Sequence, residues 1–131
     1  MLIEIKHYGS VCILHCEGRF VAGPEMEYMQ TKLDDIKRLS CKKVLMDFQS
    51  VTSLGSMGVT FIVGTYTSVI RRAGGRFVLA GASPHVLHVL ELTGLGTVIP
   101  LAADLASGLA VLRAEGPTLL ARTPLRRVGA F

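Results

Sequence analysis

The stretch Ser53-Leu-Gly-Ser-Met-Gly-Val59 sets one serine, Ser56, close between two glycines where the apolar run KVLMDF (43–48) hands over to a long helix-like segment. Two chemistries fit a hydroxyl there. It can cap the helix by accepting a hydrogen bond from an early backbone N–H, worth about 1 kcal/mol. It can also be held out at the helix start for a partner to read or modify, because unpaired N–H groups and the helix dipole accommodate an added anion. The two roles are compatible in one hydroxyl. A nucleophilic role is less well supported. The G-x-S-x-G elbow is absent, since Leu54 stands two positions before Ser56 and Gly55 directly before it, and no base is identifiable from sequence.

The other chemical candidates read as structural. His85 and His88 lie three apart on a helix, a spacing that two metal ligands can share, but no acid or cysteine is near them in sequence, so they read as surface histidines. No metal site is expected. Asp47 closes a strand beside Phe48 and suits a turn or a hydrogen bond to the next loop. Gly74-Gly75 is a helix stop with no phosphate-loop fingerprint around it, and Met26 and Met29 have core spacing. Cys12, Cys16 and Cys41 make an odd count without metal-type spacing. Two of them sit in a strongly apolar run, so free buried thiols in a reducing cytoplasm are expected in preference to a disulfide.

Composition narrows the classes further. A chain of 131 residues, half of them hydrophobic, suits one domain with its own core. The net charge of +4 is concentrated in the tail, where Arg122, Arg126 and Arg127 meet no acid; residues 1–116 carry 11 basic and 10 acidic groups. The body is nearly neutral and its cations are not interleaved with aromatics, which argues against nucleic-acid binding. No apolar run approaches the roughly 18–20 residues of a membrane span. The opening MLIEIKH has an acid and a strand-like alternation, so no signal peptide is expected.

The elements that must hold Ser56 follow from periodicity. LIEIK (2–6) and VCILHC (11–16) read as a hairpin around HYGS. Met26, Met29, Leu33, Ile36 and Leu39 mark one face of a helix near 24–39. Residues 44–48, 77–80 and 97–100 read as strands of one sheet. Val59, Ile62, Val63, Tyr66, Val69, Ile70 and Ala73 form the inward stripe of a helix over 56–73, with Arg71 and Arg72 in its last turn. Ser83-Pro84 opens a helix near 84–93 with Val86, Leu87, Leu90 and Thr93 inward, and Asp104 caps a last one near 104–115. Alternation of strands and helices favours right-handed crossovers and a partly parallel sheet. Helices are expected over one face, leaving the hairpin side partly open. The tail, 117–131, shows no sustained period and reads as loosely ordered or docked on a partner.

Three segments, in order and at matching spacing, carry a family resemblance: the strand-turn-glycine segment at 44–58, RRAGGRFVLAG at 71–81, and SPHVLHVLELTGL at 83–95. Over about residues 2–115 the chain resembles a STAS domain, the fold of bacterial anti-sigma factor antagonists. The resemblance implies an α/β STAS-type fold over 1–116, with a mixed four- to five-stranded sheet, an N-terminal antiparallel hairpin and about four helices. It implies a non-enzymatic cytoplasmic switch without a cofactor. The unphosphorylated form would bind an anti-sigma factor serine kinase and free a sigma factor, and a serine phosphatase would reset the cycle. The phosphorylated serine maps to Ser56, and the partner-reading residues to Gly55, Ser56, Met57, Gly58 and Val21. Three positions depart from the pattern: Gly55 stands where the aspartate of Asp-Ser-(Ser/Thr/Ala)-Gly is usual, Val21 where a second aspartate is frequent, and Arg19 where an acid is frequent. A scaffold or small-ligand sensor on the same fold, without phosphorylation or a sigma factor, is the alternative. An enzyme with Ser56 as nucleophile is a further one. Oligomeric state stays open.

Overall fold

The computed structural model describes residues 1–21, 23 and 25–113; the tail expected over 117–131 lies outside them. The chain runs β1 (Leu2–Tyr8), β2 (Val11–Phe20), α1 (Met26–Arg38), β3 (Lys43–Leu54), α2 (Ser56–Ile70), β4 (Arg76–Ala80), α3 (Pro84–Leu92), a 3-10 turn (Leu95–Thr97), β5 (Leu101–Ala102) and α4 (Leu105–Arg113). The strands form one sheet in the order β1-β2-β3-β4-β5. The β1–β2 hairpin is antiparallel and every later pairing is parallel, as helical crossovers require.

The strands alternate their side chains between two apolar layers. Cys12, Leu14 and Cys16 of β2 and Val44, Met46 and Phe48 of β3 enter the larger core, with Met29, Leu33 and Ile36 of α1, Phe61, Ile62 and Val69 of α2, and Val86 and Leu90 of α3. Val11, Ile13, Leu45, Val78 and Ala80 face the other way and meet Leu109 and Leu112 of α4. Helices therefore lie on both faces, three on one and α4 alone on the other, which corrects the one-face expectation. On the α4 side of the hairpin, Leu2, Glu4, Lys6 and Tyr8 of β1 are exposed.

Other expectations change as well: Met26 is exposed, β3 continues past 48 to Leu54 so that Asp47 lies within the strand, and four further points differ. The strand expected at 97–100 is a 3-10 turn and loop, and β5 shortens to Leu101–Ala102. Pro100 cannot donate to a sheet ladder, though its carbonyl accepts from Leu79 N–H at 3.0 Å. Second, α2 ends at Ile70 and rolls relative to the expected stripe: Phe61 and Thr65 are buried, while Val63 and Ile70 are exposed. With apolar residues almost all round this helix, periodicity alone leaves its orientation undetermined. Third, Thr93 is exposed. Fourth, Cys12 and Cys41 are joined as a disulfide, with Cα atoms 6.2 Å apart, and Cys16 alone is a free buried thiol. The parallel register seats Cys12 beside Val44, three residues beyond Cys41. That proximity is invisible along a sequence separation of 29. Cysteine usage therefore no longer argues for a reducing compartment. Among the described residues no helix is long and apolar enough to cross a membrane.

Candidate functional site

The Ser56 turn lies at the C-terminal end of β3, one strand from the sheet's hairpin side. Phe20 ends β2 opposite Leu54 in the register, and its carbonyl accepts the Gly55 N–H at 2.9 Å. Its ring packs between Phe48 and Phe61, with centroids at 5.6 and 5.8 Å. The turn is thus tied to the core through one buried aromatic. Gly58 completes the fit. A Cβ there would stand 2.6 Å from the Phe20 carbonyl oxygen and collide with the Leu54 side chain, so only glycine lets the first turn of α2 approach β2 this closely.

Gly55, with φ −111° and ψ −171°, is the extended N-cap, and Ser56 is the first helical residue. No side chain caps α2. The sequence allowed Ser56 to be that cap; the structure moves the position to Gly55 and leaves the Ser56 side chain exposed. The Ser56 carbonyl accepts from Thr60 Oγ1 at 3.0 Å, and Val59 N–H bonds the Gly55 carbonyl at 3.0 Å, closing the first turn. Met57 is half-buried and Gly58 buried. The five residues singled out from sequence are brought together here, because Val21 is in contact with position 55.

That contact links two of the three departures from the family pattern. A Cβ on Gly55 would lie 3.3 Å from Val21 Cγ1. Where two carboxylates are usual, this chain has a valine side chain facing the space a side chain at position 55 would fill. The first turn of α2 carries no acid, and Arg19 is exposed on β2 opposite Ser53. The charge environment of the Ser56 hydroxyl therefore lacks the local carboxylates of the pattern and keeps the helix N-terminus.

Two clusters were missed by sequence. On the α4 side of the sheet, His15 Nδ1 lies 3.0 Å from Asp47 Oδ2 and Nε2 lies 2.9 Å from Glu17 Oε2. Asp47 is buried, and its Oδ1 also accepts the Gln49 N–H at 3.1 Å. Hydrogen bonding to Asp47 holds the His15 pKa above 6.5 against partial desolvation, with Glu17 adding to the effect. The imidazolium has a carboxylate for each N–H. It borders a groove of about 340 Å³ between the hairpin and α4, lined also by Lys6, Tyr8, Ile13 and Leu109. The strand period contained the signal: His15 and Glu17, two apart on β2, share a face. The other cluster is His7 with Cys12 and Cys41. His85 and His88 are both exposed on α3.

A five-stranded sheet that is parallel apart from an N-terminal hairpin, with a serine at the start of the helix after β3, defines the class. A STAS domain profile matches residues 3–108, and the chain belongs to the STAS domain family. The anti-sigma F factor antagonist of Paenibacillus polymyxa is 24% identical over 100 residues, covering 76% of this chain and 84% of that protein. Among solved structures, an anti-sigma-factor antagonist domain protein from Planctomyces limnophilus superposes with a TM-score of 0.76 at 22% identity, over 86% of this chain and 98% of that one. The Bacillus cell fate determinant SpoIIAA in its phosphorylated form superposes with a TM-score of 0.63 at 17% identity, over 86% and 100%. At these identities the solved structures establish the fold.

Proposed function

We propose that this chain is a cytoplasmic anti-sigma factor antagonist whose unphosphorylated form docks an anti-sigma factor serine kinase through Gly55, Ser56, Met57, Gly58 and Val21. Phosphorylation of Ser56 releases the partner, and a serine phosphatase restores the docking form. The observation that carries this reading is the Ser56 side chain itself: exposed, not used as a cap, and mounted on a turn fixed by the Gly55–Phe20 hydrogen bond and the close seating of Gly58. A docked surface at this turn must be desolvated, so a dianion added there opposes docking. The phosphorylated form known for the SpoIIAA neighbour supports the same chemistry here. Incubation with the partner kinase and ATP should add one phosphate, located on Ser56 by mass spectrometry and abolished in Ser56→Ala.

A second reading rests on the Val21–Gly55 contact. An apolar patch in place of two carboxylates suits partner docking that is switched without phosphate, as a scaffold or ligand-sensing STAS module would be. Unmodified Ser56 after full kinase turnover on a control substrate, with docking intact, selects this second reading.

A further inference from the structure

At the other end of the sheet from Ser56, two sulfurs and an imidazole nitrogen converge from three places in the chain. His7 lies at the end of β1, Cys12 at the start of β2, and Cys41 between α1 and β3. His7 Nδ1 is 3.5 Å from Cys12 Sγ and 3.9 Å from Cys41 Sγ, and the three atoms all fall within 4.8 Å of one another. The sulfurs are bonded to each other. A disulfide alone does not account for the imidazole, because its sulfurs have no proton to donate and are weak acceptors. Packing does not account for it either, since His7 is exposed. The backbone beneath is held in place: the Arg72 guanidinium donates to the Cys41 carbonyl and, at 2.9 Å, to the Ile36 carbonyl. Cys16 stands apart in the larger core, its thiol 3.5 Å from the Leu14 carbonyl.

We propose that Cys12 and Cys41, when reduced, form with His7 a three-ligand site for a zinc-class cation, so that disulfide and metal-bound dithiolate are alternative states of one site. Two soft thiolates and an imidazole are the donor set that zinc takes, and three protein ligands leave a fourth tetrahedral position for water. His7 is exposed and Cys41 half-buried, which gives the ion an entry path from that side, while Cys12 is buried. Interconversion balances with a small-molecule disulfide as oxidant. One cysteine thiolate attacks it and expels a thiolate; the second cysteine thiolate attacks the mixed disulfide and expels the other. The products are the Cys12–Cys41 bond, two small thiolates and the free divalent cation.

The test uses the full chain, reduced and freed of metal under anaerobic conditions, then titrated with Co²⁺ and Zn²⁺. The expected result is one tetrahedral Co²⁺ per chain with thiolate-to-metal charge-transfer absorption, displaced by Zn²⁺. Oxidised glutathione should then release the ion to a chromophoric chelator, with two thiols lost per ion. His7→Ala, at an exposed position that leaves folding intact, should weaken binding by at least about tenfold, and Cys41→Ser should remove the charge-transfer band of a dithiolate. Cys16→Ala should leave stoichiometry unchanged. Failure of the reduced, folded chain to bind either ion overturns the proposal. So does equal binding by the oxidised chain, which would place the ion elsewhere, or unchanged affinity in His7→Ala, which would remove His7 from the ligand set.

Discussion

Ser56 is the first residue of α2 and Gly55 its cap, so the Ser56 hydroxyl is not spent on capping the helix. Removing the hydroxyl in Ser56→Ala takes away no capping bond, so its stability should stay within about 0.5 kcal/mol of the parent. Ser56→Asp puts a carboxylate in the first helical turn, where the dipole favours it by about 0.3–1 kcal/mol; thermal unfolding should rank it at or above the parent. Gly58→Ala is the opposite case. Its methyl meets the Phe20 carbonyl oxygen at 2.6 Å, and the strain should cost about 1–3 kcal/mol in urea unfolding. Gly55→Asp restores the family carboxylate at a contact of 3.3 Å with Val21. A shift of a few tenths of an ångström accommodates it, and it should speed phosphorylation by the partner kinase in a timed ATP assay; an unchanged rate would show that the lost carboxylate does not limit the transfer.

The elements were legible where period and punctuation agreed. The change from the β-type run at 43–48 to helical spacing beyond Ser56 placed the turn between them, although β3 continues to Leu54, and Ser83-Pro84 located the start of α3, where Ser83 Oγ accepts the Val86 N–H at 3.3 Å. Asp104 caps α4 in the same way, at 2.7 Å from the Ser107 N–H. What periodicity could not supply was depth and register. The orientation of α2 depends on what packs against it, and Pro100 shortens β5 because a ladder needs a donor there. The His15 network and the cysteine pair depend on strand register, which brings His15 beside Asp47 and Cys12 beside Val44. The His15 network ties β2 to β3 and gives a pH prediction. Asp47 and Glu17 raise the folded pKa, while Glu4 opposes His15 on β1 and Lys6 lines the same groove. A raised histidine pKa stabilises the fold fully below the unfolded value of about 6.5 and loses that contribution as pH rises through the folded value. The gap in melting temperature between the parent and His15→Gln should therefore be wider at about pH 6 than at about pH 9; a gap independent of pH would show that His15 acts through packing alone.

At the scale of the whole molecule, the sheet separates two chemistries. One end carries the serine turn, and the other carries the imidazole and the two sulfurs. Three helices bury one face, α4 covers part of the other, and the hairpin keeps an exposed polar edge. The larger core reaches the Ser56 turn through Phe20, whose ring packs against Phe48 and Phe61. The central claim is that Ser56 is read by a partner rather than used by the fold, and calorimetric titration of the isolated partner kinase into the parent, Ser56→Ala and Ser56→Asp tests it most directly. The account predicts that alanine binds within a few-fold of the parent and that aspartate, although at least as stable, binds at least tenfold more weakly, about 1.4 kcal/mol. Equal affinities for the alanine and aspartate variants, with both folded, would contradict it.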